Sequence, residues 1–487
     1  MNQNYNFVNL GEGFGATTAQ EVGELNKALE AGAGYAGAPT ALTGGGALQV
    51  ESLDSSLKSV TYEMKHLKLW PMIDKDQAFN TIEEYNRTDA YGDQGRGFIK
   101  EGALPRSEDA SYTRQIQRVR FIGVTRELTH VYTLVRNAHG DAIAREIRNG
   151  TMRILEIVER ALVDGRGHYA SASGVHDGSD AAILDDDDAW EGLDKQLRKG
   201  NTDASARAKA FTGYGVEEDV IRDIRGDVLD SDLLEDAARV VGENFGIPSV
   251  MMLDTKAHSD LGRQFFPKER VNPMGIAQGK AGFVLQSFVA AAGEFQLMSS
   301  VFMRPKRTPA APIAGIAAPA APAGTPSASN PLSEFTAADA GAYTYRATAI
   351  TADGEGAVSP VSAAATVVAG GHISVALAAV AGAIAYAVYR SPKGATTGHE
   401  FIGYAAPAAV GGVATMIDLN HKLPGLSQAY LLTKDAEVLR FKQLAPLMKM
   451  DLAVVATAYR WMQLLYGTPI VYAPRKNFLI ENIGRAA

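Results

Sequence analysis

Side chains that commonly do chemistry are present in this sequence, but not at the spacings that chemistry needs. The nine histidines are scattered. His130, His139 and His168 have no ligand-like spacing to one another, and no His-Glu-x-x-His occurs. With no cysteine at all, disulfides, thiolate metal sites and cysteine nucleophiles are excluded. There is no Gly-x-Ser-x-Gly elbow and no Gly-x-x-x-x-Gly-Lys-Ser/Thr loop. Gly11, Gly13 and Gly15 have neither a hydrophobic strand before them nor a helix start after them, as a nucleotide loop requires. Asp177, Asp180 and the run Asp185, Asp186, Asp187, Asp188 lack the alternating ligands, glycine turn and late bidentate Glu of a calcium loop. They read as a solvated loop or a helix N-terminus. Arg225-Gly226-Asp227 is an integrin-type tripeptide in name, with a plain reading as a helix-loop Arg and Asp. Asn86-Arg87-Thr88 and Asn149-Gly150-Thr151 fit a glycan acceptor pattern that has no bearing in a cytosolic chain. The expectation is a protein that is not an enzyme, with no catalytic residues, no cofactor and no metal.

Composition agrees with a different kind of work. The chain has 487 residues, 46% hydrophobic and 21% charged, enough for two or three domains each burying a core. A net charge of −8 argues against a dedicated nucleic-acid binder. It allows a container, whose wall gains nothing by gripping its cargo. Met1 to Leu10 shows no basic region followed by an apolar core, so no signal peptide is expected. Ala376–Val388 and Leu452–Ala458 are interrupted or too short to span a bilayer, so a cytosolic chain without a membrane partner is expected.

The elements follow from periodicity. Residues 1–46 read as an extended arm with one short helix near Glu21–Ala31. Leu53, Leu57, Val60, Met64 and Leu67 make one apolar helix face, which Pro71 closes. Phe79–Tyr85 and Tyr112–Thr125 read as two strands of a long hairpin whose tip runs Tyr91, Gly92, Asp93, Gln94, Gly95, Arg96, Gly97. The hairpin is too poor in apolar residues to bury a core, so a neighbouring subunit is the natural support. Ile143, Ile147, Ile154, Leu155, Val158 and Leu162 form the stripe of a helix over 138–164, with Glu156 and Arg160 paired at i,i+4 and Gly165 and Gly167 ending it. Helices over Val216–Arg222 and Ser231–Asn244, the second capped by Ser231, precede a strand at Ser249–Asp254.

After Arg307 the composition shifts. Residues 308–332 are an Ala/Pro linker. Beyond it, strands are expected at Tyr343–Ala349, Thr366–Val368, Ile373–Leu377, Ala385–Tyr389, Phe401–Tyr404 and Thr415–Asp418, the spacing of a β-sandwich. The stretches "YTYRATAITADGEGAVSPVS", "AIAYAVYRS" and "TMIDLN" resemble a fibronectin type III or immunoglobulin-like module over about 333–424. The missing cysteines and core tryptophan favour the fibronectin version. Pattern resumes at Lys434.

The order of arm, long hairpin, long helix and mixed α/β domain resembles the major capsid proteins of tailed bacteriophages with the Hong Kong-97 fold. "ALTGGGALQVESLDSSLKSVTYE", "EGLDKQLRKG", "IRGDVLDSDLLEDAARVVGENFGIPSVMMLDTKAHSDL" and "DLAVVATAYRWMQLLYGTPIVYAPRKNFLIENI" carry the resemblance over about 1–305 and 432–487. It implies an α+β fold divided as follows: 1–78 N-terminal arm and first helix, 79–128 extended loop, 129–246 peripheral domain with spine helix, 247–307 and 433–487 axial domain with return strand. The linker 308–332 and an all-β insertion at 333–424 interrupt it. It also implies hexamers and pentamers of an icosahedral head enclosing double-stranded DNA without sequence-specific binding. Portal, scaffold or protease, and decoration proteins would be partners, and the virion, assembled in the host cytoplasm, the location. Candidate inter-subunit contacts are Tyr91, Arg96, Phe98, Lys100, Glu101, Arg114 and Arg118. Lys100 lies in the loop that some members cross-link, as one Lys in a polar hairpin does by chance. An encapsulin-like nanocompartment shell and, third, a phage decoration or adhesion protein are the alternatives.

Overall fold

The computed structural model describes residues 61–92, 98–135, 140–164, 190–202, 220–265, 285–330, 333–351, 353–405, 413–453 and 457–484. Two units divide the chain. The first, Met1–Val60 with Thr133–Ala142, contributes only 133–135 and 140–142 to the described residues. The second, Thr61–Tyr132 with Ile143–Ala487, holds the architecture that follows, apart from residues 133–134 and 142 at two helix ends.

The helices are α1 (Leu69–Met72), α2 (His130–Leu134), α3 (Ala142–Asp164), α4 (Leu193–Thr202), α5 (Ser231–Glu243) and α6 (Thr255–Phe265). Helix α3, 23 residues long, spans about 35 Å at about 1.5 Å per residue. Of its predicted stripe, Ile154, Leu155, Val158 and Leu162 are buried, Ile143 and Ile147 half-buried. Arg160 pairs with Glu156 at 3.2 Å. Gly165, Gly167 and the acidic stretch Asp177–Asp188 lie outside the described residues.

A buried carboxylate fixes the start of α1 to α3. Glu159, 1% exposed, accepts from the backbone N–H groups of Lys68 (2.8 Å), Leu69 (2.7 Å) and Trp70 (2.8 Å). One turn away, Glu156 accepts from the Tyr62 hydroxyl at 2.9 Å. This corrects the expected helix through Leu67. Its described part holds only a 3-10 turn, Met64–His66, with Glu63 and Leu67 extended; Leu53, Leu57 and Val60 lie outside the described residues. Pro71 does not close a helix either but sits inside α1. A first-turn proline loses no internal hydrogen bond, and Glu159 serves the donors that precede it.

The first strands are β1 (Asp74–Gln77), β2 (Ile82–Ala90), β3 (Ser111–Arg118), β4 (Arg120–Thr129), β5 (Ile221–Asp223), β6 (Val250–Asp254), β7 (Ser287–Ala290) and β8 (Gly293–Ser300). The last four are β18 (Ser427–Leu432), β19 (Leu439–Asp451), β20 (Ala458–Val471) and β21 (Phe478–Ile483). A six-stranded sheet runs β5-β21-β18-β6-β8-β7, and a four-stranded sheet β1-β19-β20-β4. Both faces of the first are covered, which explains why all five residues of β6 are buried. Met251, Leu253, Leu431 and Phe478 pack with Leu234, Ala238 and Leu261 of α5 and α6. Val250, Met252, Tyr430 and Leu479 pack with Ile154, Val158, Leu193 and Phe441.

Several expectations need correction. The predicted strand Tyr112–Thr125 is two strands, because buried Val119 donates to the Thr81 carbonyl (2.8 Å) and turns the chain from one partner to another. The first hairpin strand begins at Ile82, three residues late. Instead of ending a helix, Ile221–Asp223 is a strand parallel to β21, so a long-range pairing overrides local preference; 216–219 lie outside the described residues. The cap of α5 is Asp230, whose carboxylate accepts from Leu233 N–H at 2.9 Å, with Ser231 the first helical residue. Val220 and α5 pack on the six-stranded sheet, not with α3. That sheet takes up the chain again at Ser427, before 433, whereas β19 and β20 belong to the other sheet.

Between β8 and β18 lies an all-β unit: β9 (Ala323–Ser327), β10 (Gly341–Tyr343), β11 (Tyr345–Thr351), β12 (Gly354–Val358), β13 (Ala365–Val367), β14 (His372–Leu377), β15 (Ala385–Arg390), β16 (Glu400–Ala405) and β17 (Ala414–Asp418). Its sheets run β12-β11-β15-β16, β17-β14-β9 and β10-β13. They share one core, with Tyr345, Ala347, Tyr386 and Val388 against Ile373, Val375, Leu377 and Met416. The core encloses the ion pair Arg390–Asp418 at 2.8 Å, to which Tyr345 donates at 2.9 Å. The expected linker 308–332 is in part structure. Residues 323–327 pair antiparallel with β14 at a sheet edge, where Pro326 leaves no ladder bond unmade. Ile313 N–H donates to the Glu355 carbonyl at 3.0 Å.

Candidate subunit interface

The hairpin β2–β3 is antiparallel, with Ile82 opposite Arg118, Glu84 opposite Ile116, Asn86 opposite Arg114 and Thr88 opposite Tyr112. Strand residues alternate sides, so these eight share one face, and all eight are exposed. Tyr112 is 68% and Ile116 56% exposed. Arg114 crosses the ladder to Glu84 (3.3 Å) and donates to the Asn86 side chain (3.3 Å).

The opposite face turns toward the chain's own base at its root. The Tyr85 ring meets Tyr472 edge-on at 4.9 Å, and Gln117 donates to the Glu191 carboxylate at 3.1 Å. Burial pushes the Tyr85 hydroxyl up to about 12. Beyond Val119 the strand continues as β4, paired along its length with β20. Phe121 there is 57% exposed and meets Tyr466 edge-on at 4.8 Å. Ile122 and Val124, pointing the other way, pack into the core. Ile82, Tyr112 and Ile116 thus lie exposed on one face of the paired hairpin strands, and Phe121 is exposed on β4, where the chain joins the base.

The sequence-predicted contacts fall on this arm. Tyr91, 95% exposed, lies next to the end of the described part of the first strand's side, and Phe98 begins the described part of the return; both are exposed. Lys100 and Glu101 are exposed in a turn closed by Ala103 N–H to the Lys100 carbonyl (3.0 Å), with Gly102 at φ 79°. Arg114 and Arg118 lie on the exposed face of β3. Arg96 lies outside the described residues. The structure adds Ile82, Ile99, Leu104, Tyr112, Ile116 and Phe121, all exposed. The alternation Tyr112, Arg114, Ile116, Arg118 carries a signal for two of these positions, Tyr112 and Ile116, since period two puts them on one side.

A soluble monomer rarely exposes so many large apolar side chains in one region. Among the described residues no group of three or more His, Asp or Glu could hold a metal ion, and no helix is long and apolar enough to cross a membrane.

No family model matches the chain. It is 24% identical over 471 residues to a putative major capsid protein of Enterococcus phage phiEF24C, covering 92% of this chain and 93% of that one. To the major capsid protein of Staphylococcus phage K it is 21% identical over 464 residues, again 92% and 93%. The capsid of a native GTA particle is 9% identical with a TM-score of 0.45, over 92% of this chain and 100% of that one; this structural likeness is distant and nothing below rests on it. The sequence similarities, nearly end to end in both chains, support a phage major capsid protein. They support, further, a capsid component of the virion.

Proposed function

We propose that this chain is the shell-forming subunit of a tailed-phage head, assembling into hexamers and pentamers of an icosahedral capsid around double-stranded DNA, and that it has no catalytic role. The observation that carries the reading is the arm of residues 82–118, whose exposed face holds Ile82, Tyr112 and Ile116, left largely uncovered by the described residues. A second copy is the cover that a shell supplies. End-to-end similarity to phage major capsid proteins supports the same reading. Portal, scaffold or protease, and decoration proteins would be the further partners, and assembly would take place in the host cytoplasm. The all-β unit reads as a fibronectin-like insertion on the outer surface, bracing the lattice or meeting the host surface. With a net charge of −8, a neutral or acidic inner wall would let DNA slide during filling.

Electron microscopy of the purified protein tests this. Closed shells are expected, and deletion of residues 91–104 should abolish them while leaving a soluble subunit. Shells that form without those residues would overturn the reading of the arm. Shells found to carry protein cargo in place of DNA would favour the nanocompartment alternative.

A further inference from the structure

The all-β unit touches the base at more than its two chain crossings. The turn Ile224–Asp227 is stitched to the last strand: Ile224 N–H donates to Glu481 O (3.2 Å), Gly226 N–H to Asn482 O (2.8 Å) and Gly484 N–H to Asp227 O (2.8 Å). From this platform Arg225 reaches the all-β unit. Its guanidinium donates to the Glu334 carboxylate (2.9 Å), the Glu334 carbonyl (2.9 Å) and the Asp339 carboxylate (3.1 Å). His421, on the outgoing crossing, pairs with the other Glu334 oxygen at 2.8 Å. Asn482 ties the same crossing down, donating to the His421 carbonyl (2.7 Å) and the Asp223 carboxylate (2.8 Å) and accepting from Leu423 N–H (2.9 Å).

The backbone marks the same place. Among the described residues four that are not glycine have positive φ: Arg225 (49°), Phe245 (60°), Asn420 (65°) and Asn482 (52°). Three of the four belong to this junction. Such conformations persist only where the surroundings over-determine them. The incoming crossing is held too, by Lys306 to Glu355 (2.9 Å), Arg307 to Glu400 (2.7 Å) and Phe401 N–H to the Arg307 carbonyl (3.0 Å).

We propose that the turn Ile224–Asp227 is a mount that holds the all-β unit at one angle on the base, with the forked guanidinium of Arg225 as its positioning residue. A planar fork with three acceptors fixes direction as well as distance, which one flexible ammonium would not do. The joint, not a loose tether, sets where the unit points, and it does so whatever particle the chain builds.

The test uses the cysteine-free chain with spin labels at Asp232→Cys on α5 and Thr366→Cys on β13, both exposed positions. Labelled full-length chain is diluted into unlabelled chain, and the distance distribution is measured by pulsed electron resonance. The parent should give one narrow distance. Arg225→Ala should broaden it at least twofold, and so should the double variant Glu334→Gln with Asp339→Asn, which leaves the base untouched and decides the matter if the first fails to fold. A broad distribution in the parent, or an unchanged width when these groups are removed, overturns the proposal.

Discussion

Glu159 offers the sharpest test of how the arm side of the base is held together. Its carboxylate is buried and serves three backbone donors in a row, Lys68, Leu69 and Trp70. Hydrogen bonds to a charged group contribute about 1.5–3 kcal/mol each. Lys68 and Trp70 are half-buried, so water can reach part of the space that Glu159→Ala would leave, and the lower figure applies. Three bonds then amount to about 4–5 kcal/mol of local stability, which corresponds to roughly a thousandfold faster amide exchange. Hydrogen exchange at Leu69 and Trp70 in the full-length protein is the assay. Glu159→Gln keeps one acceptor but turns an NH2 group toward a donor, so an intermediate effect is expected. Glu156→Gln, which touches only the Tyr62 hydroxyl and exposed arginines, should leave those amides nearly as protected as in the parent. Exchange within threefold of the parent in Glu159→Ala would refute the staple.

Three further outcomes are expected. Burial works to raise the Glu334 and Asp339 carboxyls, but hydrogen bonds and charges from His421, Thr336 and Arg225 outweigh it and hold both below their ordinary values. Their contribution is complete above those ordinary values and is lost as the pH falls through the depressed ones, while Asp223, raised by burial, relaxes on protonation. The mount should therefore hold from neutral pH to about pH 4 and loosen below it; loosening near pH 6–7 in the label-pair width would refute this. Gly484→Ala places a Cβ 1.7 Å from the Gly226 carbonyl oxygen, and urea unfolding should show a loss of about 1–3 kcal/mol, against no loss for Gly262→Ala, whose Cβ meets nothing within 4 Å. Tyr112→Asp with Ile116→Asp should abolish shells in electron micrographs while circular dichroism of the subunit stays unchanged, because both side chains are exposed before assembly.

What the sequence made legible was periodicity. The stripe on α3 and the alternation of Tyr345, Ala347 and Ala349 are local patterns, and the elements follow them, although the helix starts at Ala142 instead of 138 and Tyr343, expected in the same strand, falls on β10 in another sheet. What it hid depends on partners far along the chain. Ile221–Asp223 is a strand because β21 lies beside it, and no local residue announces that. Residues 323–327 carry the composition of a tether, Ala-Gly-Thr-Pro-Ser, yet the free edge of β14 recruits them. In the sequence Arg225 reads as part of a nominal tripeptide, for its acceptors, Glu334 and Asp339, lie more than a hundred residues away. The arm is polar overall in sequence, and its apolar face emerges only once register sets Ile82, Tyr112 and Ile116 on one side.

The six-stranded sheet also bears on how the chain comes to be folded during synthesis. Its neighbouring strands β6 and β18 are linked by the Ser427 hydroxyl donating to Asp254, 173 residues apart. At about 5–20 residues per second, the fully buried strand β6 waits roughly ten to thirty-five seconds on the ribosome for its neighbour. In that interval the all-β unit, with its own closed core, can complete itself. By holding Phe401 of β16 against Arg307 it brings a late strand of the unit back to its entrance. That shortens the 173-residue loop the sheet must close by a little over half, an entropic saving of about 0.7 kcal/mol. An insertion that looks like a burden on the nascent chain thus acts as a clip, delivering the late strand to the early one.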